Sequence, residues 1–131
     1  PSDLEKEYGA ALALYIDAEN LVARTTLKQL DALIAAADLV ICPDSGPAHM
    51  ASALGTAVIG LYATSNPDRT GPYNSKKLTI NRYPDAIRRY LDKNVADVAW
   101  GERVRDPEAM NLITVPDVLH NIDNFFQERG N

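Results

Sequence analysis

The chain has 131 residues, 46% of them hydrophobic and 24% charged, which is typical of one soluble globular domain. Its net charge of −5 argues against sequence-independent nucleic-acid binding, which requires a basic face, so we expect no nucleic-acid partner. A single cysteine, Cys42, excludes an internal disulfide, and no Cys/His cluster has zinc spacing, so we expect neither a metal nor a cofactor.

The beginning of the chain has the periodicity of a helix. Apolar residues recur at helical spacing over residues 3–15 and predict an amphipathic helix; they are Leu4, Tyr8, Ala11, Leu12 and Tyr15. Residues 20–22 are a short strand candidate. Thr25 or Thr26 can then cap a second helix, whose buried stripe would be Leu27, Leu30 and Ile34.

Because the chain starts at Pro1 without an initiator Met or a leader, we expect a fragment of a longer protein, or numbering that starts inside one.

The middle of the chain alternates short apolar runs with helical patterns. The predicted strands are residues 39–42, residues 57–62 and a shorter one marked by Leu78 and Ile80. Pro43 ends the first strand, and a helix rich in small residues follows over residues 47–54, ending at Gly55. This alternation predicts an α/β fold, with a parallel sheet flanked by helices.

The remainder of the chain has one clear element. Residues 82–111 read as irregular, apart from a helix over residues 86–93. A final helix carries Pro116 in its first turn and an apolar face made of Val118, Leu119, Ile122, Phe125 and Phe126. The two adjacent phenylalanines could pack on this domain or cross to another.

The junction between the first strand and the next helix predicts an anion site. The first N–H groups of a helix have no intrahelical acceptor, and the helix dipole adds positive charge there, so a phosphate fits both. Gly46 lets an anion approach the backbone closely, and Ser45 adds a hydroxyl. Because Pro47 has no N–H, the remaining backbone donors are Gly46, Ala48 and His49.

Asp44 complicates this prediction, because its charge would repel a phosphate placed on it. It is better suited to accepting hydrogen bonds from sugar hydroxyls, or to capping the helix. The loop of residues 64–73 follows a strand that runs the same way and should line the same crevice, with Arg69 as its nearest cation. Two ordinary alternatives stay open: Asp44 or Ser45 only caps the helix, and His49 is a packed or solvent-facing histidine.

A resemblance extends over the sequence around this junction. The residues that carry it are Thr26–Leu27–Lys28–Gln29–Leu30, Ala32–Leu33–Ile34, Asp44–Ser45–Gly46–Pro47–Ala48–His49–Met50–Ala51, Ala53–Leu54–Gly55, Val58–Ile59–Gly60–Leu61–Tyr62, Asn66–Pro67 and Arg69–Thr70–Gly71–Pro72. At these intervals the chain resembles the family-9 glycosyltransferases, the bacterial heptosyltransferases that build the inner core of lipopolysaccharide. The match is dense over residues 25–73 and thin elsewhere.

The resemblance implies a GT-B architecture, with residues 1–131 as the C-terminal, Rossmann-like domain that binds the nucleotide-sugar donor. The donor would be ADP-heptose and the acceptor the lipid A–Kdo core. Asp44 would contact the heptose, while Ser45 and Gly46 would hold the diphosphate with help from His49. The N-terminal acceptor domain, which carries the general base and a lysine, is absent from this chain. We therefore expect no catalytic residue here and no activity from the chain alone.

Weaker assignments follow from the same resemblance. Glu5 falls near an acidic residue that contacts the ribose in some relatives, and Thr25 and Thr26 fall near the nucleotide pocket. Ala57 and Ala63 depart from positions where proline and glycine are common. Two other functions stay open: a glycosyltransferase domain for another nucleotide sugar, and a stand-alone nucleotide-binding regulatory module. We expect a cytoplasmic enzyme, with peripheral association at the inner face of the inner membrane.

Overall fold

The computed structural model describes residues 2–130, and the chain divides into two compact units, Pro1–Leu33 and Ile34–Asn131. The helices are α1 (Asp3–Leu12), α2 (Leu27–Ala36), α3 (Gly46–Leu54), α4 (Pro67–Thr70), α5 (Tyr83–Leu91) and α6 (Val115–Gly130). The strands are β1 (Leu39–Pro43), β2 (Ala57–Tyr62) and β3 (Ile80–Asn81), and short 3-10 helices cover Tyr73–Leu78, Val95–Asp97 and Ala109–Leu112. Within the described residues, no helix combines the length and apolar character needed to cross a bilayer.

The first helix of the first unit confirms the predicted amphipathic helix, although it ends at Leu12. It begins with a capping box, in which the Ser2 hydroxyl accepts from the Glu5 N–H and the Glu5 carboxylate accepts from the Ser2 N–H. Its apolar stripe is exposed: Leu4, Tyr8 and Leu12 retain 55%, 60% and 57% of their accessible surface.

The strand predicted at residues 20–22 is wrong. The Asn20 side-chain oxygen accepts a hydrogen bond from the Val22 N–H at 3.1 Å, and the turn continues through Ala23 with a positive φ of 62°. A short polar side chain that bonds to its own backbone offers an alternative to strand pairing, and that local bond prevails here.

The second helix begins as predicted, after Thr26. The Gln29 N–H donates to the Thr26 hydroxyl at 3.3 Å, and the Gln29 side chain accepts from the Thr26 N–H at 2.8 Å. Of the predicted buried stripe only Ile34 is buried, at 5% exposure, whereas Leu27 is 70% exposed. Helical spacing thus located the helix correctly but overstated how much of its apolar face is covered.

The second unit contains the predicted parallel α/β sheet. Its strand order is β1-β2-β3, with Leu39 opposite Ala57, Pro43 opposite Leu61 and Tyr62 opposite Asn81. Since all three strands are parallel, their carboxyl ends meet at one edge of the sheet, where α/β folds bind ligands. The central strand is the most deeply buried; Val58, Ile59 and Tyr62 are fully covered. Each such side chain contributes roughly 1.5–3 kcal/mol.

The final helix docks on the second unit itself. The Asn121 side chain donates to the Leu78 carbonyl at 2.9 Å, near the start of β3, and Arg129 pairs with Asp38 at 3.0 Å, just before β1. Phe126 remains 50% exposed. Within this chain the helix contacts its own unit, and the alternative that it also crosses to another domain stays open.

Candidate functional site

The turn between β1 and α3 forms the centre of the site. Ser45 occupies the N-cap position with an extended backbone (φ −154°, ψ 167°), but its side chain makes no capping hydrogen bond. Instead the Ser45 hydroxyl donates to the Pro43 carbonyl at 3.1 Å. Helix capping therefore does not account for Ser45.

Asp44 does not cap the helix either. Its side chain is only 10% exposed, and its Oδ2 accepts hydrogen bonds from the Thr70 hydroxyl at 3.1 Å and the Arg103 guanidinium at 3.0 Å. The other carboxylate oxygen, Oδ1, lies 4.0 Å from Nε2 of His49, whose side chain is 57% exposed. Asp44 is therefore a nearly buried carboxylate held by two hydrogen bonds, and His49 is a largely exposed side chain beside it. The predicted help of His49 in holding the diphosphate stays a prediction.

A tight turn at Gly71, where α4 ends, places Thr70 next to Asp44. The Gly71 N–H donates to the Pro67 carbonyl at 2.7 Å. A Cβ at position 71 would stand only 2.4 Å from that carbonyl oxygen, so only glycine permits this close return of the chain. The hydrogen bond between Thr70 and Asp44 agrees with the prediction that the loop of residues 64–73 lines the crevice of Asp44.

The cation beside Asp44 is Arg103, whereas the sequence pointed to Arg69. Arg69 is exposed and stands next to Gly101, 3.7 Å from an ideal Cβ there. Arg103 is held in place by its neighbour Val104, which is buried and whose N–H donates to the Thr64 carbonyl at 3.0 Å. This hydrogen bond holds the chain around Arg103 next to Thr64, two residues after the end of β2.

Fewer of the predicted backbone N–H groups are available to an anion than the sequence suggested. The Ala48 N–H already donates to the Ser45 carbonyl at 3.1 Å, and the Ala48 side chain is fully buried. Among the described residues, no protein acceptor receives the N–H of Ser45 or Gly46. An added Cβ at Gly46 would meet nothing within 4 Å. Within the described residues, the N–H groups of Ser45 and Gly46 are therefore unpaired, and the space on the Cβ side of Gly46 is open.

Two buried side chains, Tyr62 and Cys42, lie next to the site. The Tyr62 hydroxyl donates to the Thr70 carbonyl at 3.0 Å. Burial, followed by the nearby charge of Asp44 and by Cys42, raises the pKa of Tyr62 to about 12. Burial likewise raises the pKa of the Cys42 thiol, so both groups stay protonated near neutral pH and Cys42 is a small core residue.

The Arg103 contact changes the electrostatics of the site. A bare carboxylate beside free N–H groups would repel a phosphate, but the guanidinium neutralises Asp44 and has further N–H donors to spare. The Arg103 side chain is 48% exposed, so a ligand can reach it. The site can therefore hold an anion at the helix start while Asp44 accepts hydrogen bonds from a neutral group beside it.

The weaker candidates of the sequence lie in the first unit and have structural partners there. Glu5 completes the capping box of α1, and the hydrogen bond from Ser2 lowers the pKa of its carboxylate. Thr26 caps α2, and Thr25, which is partly buried, lies just before it. A role in nucleotide binding for these three residues stays a prediction.

Two residues of this arrangement were missed in the sequence. Thr70 stands in the segment quoted for the family resemblance, but nothing singled out its hydroxyl. Arg103 lies 59 positions from Asp44, in a stretch without helical or strand periodicity, so no local pattern could have found it. In the part of the chain that the structure describes, no three Cys, His, Asp or Glu side chains could hold a metal ion together.

Comparisons with known proteins identify relatives. The family model described as "Glycosyltransferase family 9 (heptosyltransferase)" matches residues 1–94. Lipopolysaccharide core heptosyltransferase OpsX of Haemophilus influenzae is 42% identical over 100 residues, which cover 76% of this chain and 29% of OpsX. Lipopolysaccharide heptosyltransferase 2 of Salmonella typhimurium is 32% identical over 111 residues, 85% of this chain and 30% of that protein.

A third relative, lipopolysaccharide heptosyltransferase 2 of Escherichia coli, is 41% identical over 61 residues, 47% of this chain and 18% of that protein. The chain thus spans less than a third of the length of these relatives. No solved structure matches significantly.

Proposed function

Because this chain belongs to glycosyltransferase family 9, the heptosyltransferases, we propose that it is the donor-binding domain of an enzyme that transfers heptose from ADP-heptose to the inner core of lipopolysaccharide. The observation that carries this proposal is the pairing of Asp44 with Arg103 beside the free N–H groups of Ser45 and Gly46. A sugar diphosphate has a neutral hydroxylated part next to an anionic part. The two halves of the site match that pattern.

In this proposal the diphosphate lies at the start of α3 and the heptose lies against Asp44. The acceptor hydroxyl oxygen, on the lipid A–Kdo core, bonds to the anomeric carbon as the bond from that carbon to the diphosphate oxygen breaks. Its proton goes to a base in the acceptor domain, outside this chain. Helix N–H groups that are already aimed at the leaving diphosphate stabilise its growing charge without reorganisation. The transfer then needs both domains, and it takes place at the cytoplasmic face of the inner membrane.

Calorimetry on the chain tests the donor site directly. ADP should bind with its diphosphate at α3, and UDP should bind more weakly. Tighter binding of UDP would overturn the ADP-heptose assignment in favour of another nucleotide sugar. Absence of binding by either nucleotide would contradict the donor-site proposal itself.

In the full-length protein, Asp44→Asn tests the sugar contact. This variant keeps the volume of the side chain and can still accept a hydrogen bond from Thr70, so the fold and its melting temperature should be retained. We expect the rate of transfer to fall tenfold to a hundredfold, about what one charge-assisted hydrogen bond contributes. An unchanged rate would contradict the role of Asp44.

A further inference from the structure

Arg103, the cation that pairs with Asp44, lies in a segment without regular structure. Residues 102–106 belong to no helix or strand, so no ladder of backbone hydrogen bonds fixes the position of Arg103. An arginine side chain has many rotamers, and an ion pair at a half-exposed residue gains little unless both of its ends are already fixed. Two hydrogen bonds to the interior, one on each side of Arg103, fix the backbone here.

The anchor before Arg103 is the hydroxyl of Tyr83, which donates to the Glu102 carbonyl at 2.8 Å. Tyr83 is the first residue of α5 and is only 1% exposed. Its own N–H donates to the side-chain oxygen of Asn81, the last residue of β3, at 3.1 Å. Burial, followed by the charge of Glu102, raises the pKa of Tyr83. The hydroxyl therefore stays protonated near neutral pH and remains a donor.

The anchor after Arg103 is Val104, whose N–H donates to the Thr64 carbonyl. The Val104 side chain is buried in the same apolar cluster as Tyr83 and Ile87. One anchor thus leads back to the start of α5 and the other to the chain that follows β2. Arg103 is the exposed residue between them.

We propose that the Tyr83 hydroxyl is a positioning group of the donor site, which acts by fixing Arg103 against Asp44. It acts through the Glu102 carbonyl and not by contact with the donor. A group that is fixed before its ligand arrives loses less conformational entropy on binding, so it holds the ligand more tightly. This inference rests on the proposed function, because the diphosphate is the anion that Arg103 would help to hold.

A purely structural role for the hydroxyl predicts a different pattern. Loss of its hydrogen bond would then lower the stability of the unit, and the affinity of the folded protein for ADP would not depend on it. A positioning role predicts that the hydroxyl affects ADP binding only while Arg103 is present. A double-mutant cycle on the two residues distinguishes these roles, because groups that act through one another are not additive.

The cycle is measured by calorimetry with ADP on the full-length protein. Tyr83→Phe keeps the ring in the cluster, so the variant should still melt cooperatively, at a slightly lower temperature. It should weaken ADP binding about fivefold, but by less than about twofold in the Arg103→Gln background. The matched control Tyr90→Phe, two turns along α5 and packed against the same cluster, should leave the affinity unchanged. Unchanged affinity in Tyr83→Phe, or equal losses in both backgrounds, would overturn the proposal.

A second measurement requires neither a ligand nor a stable variant. The heteronuclear NOE of an arginine Nε–Hε group reports its motion on the picosecond to nanosecond timescale. In the original protein, Arg103 should be more ordered than Arg105, an exposed arginine of the same segment. Tyr83→Phe should lower the NOE of Arg103 to that of Arg105, and Tyr90→Phe should not change it.

The NOE also separates this inference from the proposed function. If Arg103 were as mobile as Arg105 in the original protein, the positioning role would be overturned, whatever the affinity for ADP. If the original protein bound no ADP, the donor-binding function would fall. The NOE would then still decide whether Tyr83 fixes Arg103.

Discussion

Gly46→Ala separates ligand binding from folding at the start of α3. A methyl group at this position meets no protein atom within 4 Å, and Gly46 does not have a positive φ. Restricting the unfolded chain favours alanine by about 0.4–1 kcal/mol, while the following Pro47 disfavours a helical backbone for a residue with a Cβ. These effects oppose each other, so the free energy of unfolding should change by less than about 1 kcal/mol.

Nucleotide binding should respond far more strongly. If the diphosphate approaches the Gly46 N–H, the new methyl group stands in the open space it needs. Losing one hydrogen bond to a charged group costs about 1.5–3 kcal/mol. The dissociation constant for ADP should therefore become tenfold to hundredfold larger. Calorimetry would measure the dissociation constant, and urea denaturation would measure the free energy of unfolding.

The opposite end of the same helix provides the control. Gly55 has a φ of 78°, so Gly55→Ala should lower the free energy of unfolding by about 1–2 kcal/mol and leave the affinity for ADP unchanged. If Gly46→Ala bound ADP as tightly as the original chain, the diphosphate would not lie on Gly46. The reasoning from the helix start would then be refuted.

Three further predictions concern other contacts. Arg103→Gln should weaken ADP binding about tenfold, because Asp44 loses the cation that offsets its charge; equal affinity would show that Arg103 does not act at the site. Cys42 should react with a thiol reagent only after urea unfolding, since burial covers it and raises its pKa; rapid labelling of the folded chain would contradict this. Hydrogen bonds from Thr114 and Arg82 lower the pKa of Asp117, so its stabilising effect is complete above the ordinary carboxylate pKa of about 4 and is lost as the pH falls through the lowered value. The difference in melting temperature between the original chain and Asp117→Asn should therefore shrink in acid, and a constant difference would contradict the assignment.

The candidate site was only partly predictable, for a physical reason. A strand that ends in proline and turns into a small-residue helix is visible within about ten residues, so Ser45 and Gly46 could be found from the sequence. Whether Asp44 capped that helix could not be decided, because capping and ligand binding use the same residue types at the same spacing. The contact with Arg103 decided it, and that contact joins residues 59 positions apart.

The fold, like the site, was only partly predictable from the sequence. The sequence by itself determined the β1–α3–β2 unit, the end of α3 at Gly55 and the C-terminal helix, because apolar periodicity, proline and left-handed glycine act over neighbouring residues. Only the tertiary structure decided that Leu27 stays exposed, and that Val104 pairs with Thr64 and thereby brings Arg103 to Asp44. These features depend on which segments meet in space, and burial and charge pairing between distant segments leave no periodic trace along the chain.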